Sequence, residues 1–202
     1  MYKINRKEMI NLNLPNKITT FRMLLIPVLI IINLIQPLKE IVLFNYLTLT
    51  NILMAAIFLI GAISDFFDGH LARKYNLVTS FGKFMDPLAD KLLVFSTLVI
   101  LLEQNNILTS WVIIVMLARE FMVSGLRMLA ADKGQVIAAG MLGKIKTNFQ
   151  FISIVLLLVV GESNILAFDI INYVMMYLSV FFALWSGIDY IYKGRNIILE
   201  TK

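Results

Sequence analysis

Six long apolar stretches, each almost free of charge, constrain the fold of this sequence more than any other feature. They cover residues 18–36, 47–69, 86–103, 108–131, 146–161 and 167–192. Each is long enough to cross a hydrocarbon core about 30 Å thick as a helix. Lipid cannot satisfy exposed backbone groups, and barrel strands would alternate apolar and polar residues, whereas these stretches are apolar on every side. The sequence therefore predicts an all-α integral membrane protein with six transmembrane helices.

The composition agrees with this class of protein. Hydrophobic residues make up 59% of the chain and charged residues only 15%, against about 25% charged residues in soluble domains. We expect residues 1–17 to form an N-terminal juxtamembrane segment and residues 18–202 a single membrane domain. A polar sequence, rather than a small-residue cleavage site, follows the first stretch, so we expect this stretch to be retained. The chain has no cysteine, which leaves oxygen ligands for any metal ion.

Basic residues predict the orientation in the membrane. They precede the first predicted helix, occupy the second-to-third and fourth-to-fifth connections, and follow the sixth helix, whereas the other three connections contain only Lys39. The positive-inside rule then places both termini and the basic connections on the cytoplasmic side of the cell membrane. The net charge of +5 is explained by this topology and by anionic lipid headgroups, so we expect no nucleic-acid partner.

Four aspartates flank the second-to-third connection. Asp65 and Asp68 are three residues apart at the end of the second predicted helix, and Asp86 and Asp90 are four apart at the start of the third. Either spacing places a pair on one helix face. A capping role would suit Asp86 but not the first pair, because a helix C-terminus disfavours negative charge. Carboxylates at membrane depth are costly, so the sequence predicts a site for Mg²⁺ or Mn²⁺ facing the cytoplasm.

These aspartates belong to a longer pattern, Asp-x-x-Asp-Gly-x-x-Ala-Arg-x8-Gly-x3-Asp-x3-Asp, which is complete from Asp65 to Asp90. It resembles the signature of the CDP-alcohol phosphatidyltransferases, and the six-helix fold of that family matches the six stretches. The resemblance implies that Asp65, Asp68 and Asp86 hold the metal, and that Asp90 is the general base and a ligand of a second metal. The CDP-lipid-binding residues that it implies are Asp65, Asp68, Gly69, Ala72, Arg73 and Gly82. His70 occupies a variable position of the pattern, so we interpret it as a bystander.

Four cations outside the pattern predict an anionic acceptor. Arg119 and Arg127 are about two turns apart on the fourth predicted helix, and Lys144 and Lys146 begin the fifth. Such groups bind phosphate oxygens, so we expect the acceptor to be a phosphorylated alcohol. The alternative for the two lysines is that they only follow the positive-inside rule.

An arginine inside an apolar stretch needs a partner. We expect an acid of the pattern, such as Asp90, to pair with Arg119 in preference to Glu120, because adjacent helical residues point about 100° apart.

The resemblance extends over residues 14–27, 61–95, 117–147 and 184–195, where it is greatest to family members that use glycerol 3-phosphate. It implies transfer of the phosphatidyl group of CDP-diacylglycerol to glycerol 3-phosphate, with release of CMP, by a homodimer. The residues that it implies for binding the acceptor phosphate are Arg119, Arg127, Lys144 and Lys146, with Thr19 and Arg22 from the N-terminal segment.

Two other functions stay open at this point. Inositol phosphate would suit the same cations and the same chemistry. A cation or proton transporter is a more distant alternative, because transporters place acids near the membrane midplane, often within repeated halves, and the sequence shows no repeat. The sequence decides neither the acyl-chain preference nor between Mg²⁺ and Mn²⁺.

Overall fold

The structure is a computed structural model that describes residues 14–44, 47–74, 80–104, 108–135, 137–138, 140–160 and 166–199. For residues 14–15, 44, 65–74, 80–84, 86 and 196–199 the description is limited to the backbone. The helices of this part of the chain are α1 Leu14–Leu34, α2 Gln36–Glu40, α3 Leu49–Lys74, α4 Ser80–Gln104, α5 Ser110–Asp132, α6 Met141–Val160 and α7 Leu166–Leu199. A two-stranded sheet pairs β1 Val42–Phe44 with β2 Leu47–Thr48.

Each of the six apolar stretches coincides with one of the long helices. Within the described part of the chain, three helical segments are long and apolar enough to cross a membrane, namely Asn16–Leu34, Met141–Val160 and Leu166–Arg195. Within α3, Leu49–Ser64 is apolar over a shorter length. Large apolar side chains such as Leu24 and Trp185 are more than half exposed, as expected of helices that contact lipid. The chain is therefore a largely helical membrane protein, and its short sheet was not predicted.

The helices extend beyond the apolar stretches where the aspartates lie. Helix α3 continues to Lys74, so Asp65 and Asp68 lie well inside it rather than in its last turn. Helix α4 begins at Ser80, six residues before Asp86, so the capping role considered for Asp86 is wrong. The predicted boundaries followed hydropathy alone, whereas the backbone stays helical through the polar residues that follow and precede the apolar stretches.

The chain forms two compact units, Met1–Phe44 with Thr48–Ile100, and Asn45–Leu47 with Leu101–Lys202. In the first unit α1 packs on α3, and the buried side chains include Leu29, Met54 and Phe58. Gly61 of α3 allows close approach, because a Cβ atom there would overlap Leu93 of α4 and lie 3.6 Å from Leu25 of α1. A small residue at such a contact is typical of membrane helices.

In the second unit α5 and α6 both pack against α7. The stacked rings of Phe149 and Phe182, with centroids 5.6 Å apart, join α6 to α7. Two residues beyond the end of helix α5, Gly134 has φ +70°, the left-handed conformation in which glycine is favoured. Gly134 N–H donates to Ala131 O at 3.0 Å and Gln135 N–H to Ala130 O at 2.8 Å. These two bonds form a Schellman motif, which fixes where the α5–α6 connection begins.

Candidate active site

Arg119 of α5 is a buried cation of the second unit. It is 8% exposed, and its Nε and Nη2 atoms donate to Ser186 Oγ at 3.2 and 2.9 Å. Its Nη1 atom donates to Glu120 Oε1 at 2.7 Å. Two glycines make room for this side chain, because a Cβ atom at Gly143 would lie 3.1 Å from Nη2 and one at Gly187 3.4 Å from Cγ. Helices α5, α6 and α7 therefore all shape the position of one guanidinium.

Glu120 joins this guanidinium to a second cation. Lys146 of α6 is 3% exposed, and its Nζ atom donates to the same Glu120 Oε1 atom at 2.8 Å. The expectation that Asp90 or another aspartate of the pattern would pair with Arg119 in preference to Glu120 was wrong. The side chains of Arg119 and Glu120 are long enough to meet although their Cα–Cβ bonds diverge. One carboxylate therefore neutralises part of the charge of two buried cations.

Tyr190 of α7 brings Arg127 into the same group. Its hydroxyl accepts hydrogen bonds from Arg127 Nη2 and from Gly140 N–H, the latter at 3.2 Å, and donates to Ala138 O at 3.2 Å. The centroid of its ring lies 5.2 Å from Arg127 Cζ and 5.8 Å from Arg119 Cζ, within the range of cation–π attraction. Tyr190 is 2% exposed. A buried aromatic side chain thus contacts both arginines and the α5–α6 connection.

We call Arg119, Lys146, Arg127 and Glu120, together with Tyr190 and Ser186, the cation cluster. Its three cations and one carboxylate give a net charge of +2, which complements a phosphate dianion. Arg127 is exposed, so the cluster is open to solvent at one end. Lys144 is also exposed, and no described residue forms a hydrogen bond or ion pair with it. The structure therefore brings together three of the four cations predicted from α5 and α6, but not Lys144.

The four aspartates lie on the helices of the first unit. Asp65 and Asp68 are in α3, Asp86 and Asp90 in α4, so the backbone confirms the helical spacing within each pair. The side chain of Asp90 is half-buried and has an interaction partner. The side chains of Asp65, Asp68 and Asp86 lie outside the described part of the structure, as do those of Arg73 and Ala72. For Gly69 and Gly82, the glycines of the pattern, the description is of the backbone. Among the described side chains no three potential ligands come together.

The two polar residues predicted from α1, Thr19 and Arg22, form a buried stripe with Asn16 in the first unit. Asn16, Thr19 and Arg22 recur every three residues and are 7%, 1% and 0% exposed, and all three have interaction partners. Thr19 and Arg22 therefore belong to the unit that carries the aspartates, whereas the cation cluster belongs to the other unit.

The comparison with known families covers both units. Residues 12–185 match the model of the CDP-alcohol phosphatidyltransferase family. The chain belongs to this family. Most of the residues discussed above lie within the matched region, including the complete aspartate pattern and the cations of α5 and α6. Tyr190 lies five residues beyond its end.

Individual relatives in the CDP-alcohol phosphatidyltransferase family are similar over nearly their whole length. A CDP-diacylglycerol–glycerol-3-phosphate 3-phosphatidyltransferase of Bacillus subtilis is 43% identical over 195 residues, which cover 90% of this chain and 95% of the relative. A protein of the same name from Rickettsia felis is 37% identical, covering 90% and 94%. One from Salmonella choleraesuis is 33% identical, covering 93% and 98%.

Sequence reasoning missed three residues of the cation cluster. Glu120 was set aside because it adjoins Arg119, and the roles of Ser186 and Tyr190 were not predicted, although the segment Ser186–Tyr190 was part of the resemblance to the family. The i, i+4 spacing of Ser186 and Tyr190 puts both on one face of α7. A polar pair on one face of an apolar helix is the signal that identifies them.

Proposed function

We propose that this chain transfers the phosphatidyl group of CDP-diacylglycerol to glycerol 3-phosphate, giving phosphatidylglycerophosphate and CMP. The observation that carries the proposal is the cation cluster, in which two buried cations share one carboxylate and a third cation contacts the same tyrosine. A net positive, partly enclosed site of this kind suits the phosphate of the acceptor alcohol. Membership of the CDP-alcohol phosphatidyltransferase family and the names of the relatives support this choice over inositol phosphate or a transported cation.

We assign acceptor binding to the cations of α5 and α6. Guanidinium groups form paired hydrogen bonds with phosphate oxygens, and a lysine ammonium adds a compact charge. Arg119, Arg127 and Lys146 supply these groups. Lys144, which is exposed, adds positive charge that attracts the anionic acceptor from solution. Thr19 and Arg22 complete the proposed set from α1.

The aspartate pattern would bind the CDP-lipid. The family is in general dependent on divalent metal ions, and four carboxylates form an oxygen-only ligand set that suits Mg²⁺ or Mn²⁺. Asp65, Asp68 and Asp86 would hold one ion and Asp90 would be a ligand of a second, and such ions when bound neutralise charge on the transferring phosphate and on the leaving CMP. Gly69, Ala72, Arg73 and Gly82 would line the site for cytidine and diphosphate.

Asp90 would act as the general base. The acceptor hydroxyl attacks the lipid-side phosphorus of CDP-diacylglycerol, a new P–O bond forms, and the P–O bond to CMP breaks. The hydroxyl proton passes to the carboxylate of Asp90, which promotes attack because an alkoxide is a better nucleophile than the neutral alcohol. CMP leaves with the electron pair of the broken bond.

We further propose that all six long helices cross the cytoplasmic membrane, that both termini and the active site face the cytoplasm, and that the protein is a homodimer. The distribution of basic residues supports the orientation, and the water-soluble acceptor requires access from the cytoplasm.

CMP release by the purified protein tests the proposed function. The protein receives CDP-diacylglycerol and Mg²⁺ with either glycerol 3-phosphate or inositol phosphate. We expect release with glycerol 3-phosphate alone and its loss on addition of EDTA. Release only with inositol phosphate would reassign the acceptor, and release with neither would contradict the proposed reaction.

A matched pair of variants tests the acceptor site. Arg127→Ala should raise the KM for glycerol 3-phosphate about tenfold or more, because it removes a charged hydrogen bond to the acceptor. The KM for CDP-diacylglycerol should change little. Arg195→Ala is the control, because Arg195 is also an exposed arginine beside a tyrosine ring of α7 but lies outside the cation cluster. Equal effects of Arg127→Ala on both KM values would contradict the assignment.

A further inference from the structure

Tyr190 contacts two of the cations of the cation cluster through one side chain. It is buried in an apolar group with Val123 and Leu126 of α5, against which Ile137 also packs. Its hydroxyl nevertheless forms hydrogen bonds with polar groups, and the guanidinium groups of two arginines lie within 6 Å of the centroid of its ring. We infer that Tyr190 is a positioning residue that sets the affinity of the cation cluster for the acceptor phosphate. This inference rests on the proposed function, because it assumes that the cluster binds the acceptor.

The hydroxyl of Tyr190 forms its hydrogen bonds with other groups of the chain. A phenol has one hydrogen to donate and can accept two hydrogen bonds. The donor is used by Ala138 O, and the two acceptor positions are used by Gly140 N–H and Arg127 Nη2. The hydroxyl thus uses its hydrogen-bonding capacity within the chain, which favours a positioning role over one as an acid, a base or a substrate ligand. Its three bonds instead fix the guanidinium of Arg127 relative to the α5–α6 connection.

The ring orients both arginines. Arg127 is exposed, and a long exposed side chain would lose conformational freedom on binding phosphate. A side chain that is already held before binding loses less, so affinity increases. The centroid of the Tyr190 ring lies 5.2 Å from Arg127 Cζ and 5.8 Å from Arg119 Cζ. A buried aromatic ring of this kind is itself rigid. Tyr190 therefore preorganises the part of the cluster that is open to solvent.

Two substitutions separate the hydroxyl from the ring. Tyr190→Phe removes the three hydrogen bonds and keeps both arginine–ring contacts, whereas Tyr190→Leu removes all of them. We expect Tyr190→Phe to raise the KM for glycerol 3-phosphate about tenfold, with kcat within about twofold and an unchanged KM for CDP-diacylglycerol. Tyr190→Leu should raise the acceptor KM further.

Tyr192→Phe is the matched control. Tyr192 lies two residues along the same helix, is 67% exposed and has Arg195 at 5.0 Å from its ring, but it has no part in the cation cluster. We expect this variant to keep both KM values of the unsubstituted protein. An unchanged acceptor KM in Tyr190→Phe, or an equal rise in both KM values, would overturn the inference.

A binding measurement keeps this test independent of turnover. Glycerol 3-phosphate should raise the Tm of the purified protein, and Tyr190→Phe should need about tenfold more of it for the same rise. If the unsubstituted protein releases no CMP with glycerol 3-phosphate, the proposed reaction fails, while the Tm series still reports on Tyr190. If Tyr190→Phe gives the same Tm series as the unsubstituted protein, the role of Tyr190 fails even where turnover is normal.

Discussion

The Oε1 atom of Glu120 accepts hydrogen bonds from Arg119 and from Lys146, at 2.7 and 2.8 Å. At the scale of single residues, this shared oxygen explains how two cations are tolerated at 8% and 3% exposure. Removing one partner of a buried pair leaves the other charge without compensation, which is the most destabilising way to change such a site. Removal of the Glu120 charge would therefore raise the net positive charge that the cluster presents to any other anion.

Glu120→Gln is therefore expected to lower the Tm of the protein and to increase the rise in Tm that phosphate causes. Glutamine keeps an oxygen that accepts from both cations but has no negative charge. The weakening of these two hydrogen bonds should cost about 1–3 kcal/mol, a fall in Tm of about 2–12 °C for a chain of this size. Inorganic phosphate should restore the Tm of the variant more than it raises that of the unsubstituted protein. Asp189→Asn is the control, because Asp189 pairs with the 55% exposed Lys193, and exposed pairs contribute little.

Asp90→Asn tests the proposed base. The amide keeps the size of the side chain but does not accept the proton, so kcat should fall at least about a hundredfold while CDP-diacylglycerol binding is largely retained. Glu103→Gln, which changes an exposed acid at the other end of α4, is the control for substituting an acid on this helix. Normal turnover in Asp90→Asn would remove the assignment of Asp90 as the base.

At the scale of helices, packing depends on where small residues lie. Gly61 lets α3 approach Leu93 and Leu25, whereas a Cβ atom at Gly125 of α5 would meet no atom within 4 Å. Two glycines of this chain thus have different reasons to be there. Close packing explains the first, and the structure gives no packing reason for the second.

Gly61→Ala is expected to destabilise the first unit by about 1–3 kcal/mol, as overpacking of a close contact does. Gly125→Ala should be neutral or stabilising, because alanine favours the helix by about 1 kcal/mol. Leu93→Ala creates space beside position 61, so the double variant Gly61→Ala/Leu93→Ala should be less destabilised than the sum of the two single changes. Additive effects in thermal unfolding would show that the two positions are not in contact.

The positions of the helices were predictable because length and hydropathy alone require them in a membrane. Their polar ends were not, since the backbone of α3 and α4 stays helical where hydropathy no longer indicates it. The pairing of Arg119 with Glu120 was missed because the angle of about 100° between adjacent helical residues does not determine where two long, flexible side chains end. The pairing of β1 with β2 was missed because both strands are too short to give a periodic pattern.

At the scale of the whole molecule, the two halves of the proposed chemistry are carried by different parts of the chain. The aspartates and the buried stripe of α1 belong to the first compact unit, and the cation cluster belongs to the second. The sequence predicted the aspartates and the cations of α5 and α6 from their charge in apolar surroundings, whereas it offered Thr19 and Arg22 only through the resemblance to the family. It gave no indication that Thr19 and Arg22 share a unit with the aspartates rather than with the other proposed acceptor residues.

The proposed membrane orientation is testable because the chain has no cysteine. Single cysteines introduced at exposed positions then report on each side of the membrane without background. Glu40→Cys in α2 should react with a membrane-impermeant thiol reagent from outside the cell, and Gln135→Cys in the α5–α6 connection only after the membrane is opened. The reverse pattern would invert the topology.

The carboxylate shared within the cation cluster also has a consequence for the ionisation of the substrate. With Glu120 present, the three cations leave a net charge of +2, which a fully ionised phosphate monoester matches. Such esters take up a proton with a pKa of about 6, and below that pH they carry only one negative charge. Acceptor affinity should therefore fall as the medium becomes acidic, for a reason that lies in glycerol 3-phosphate itself.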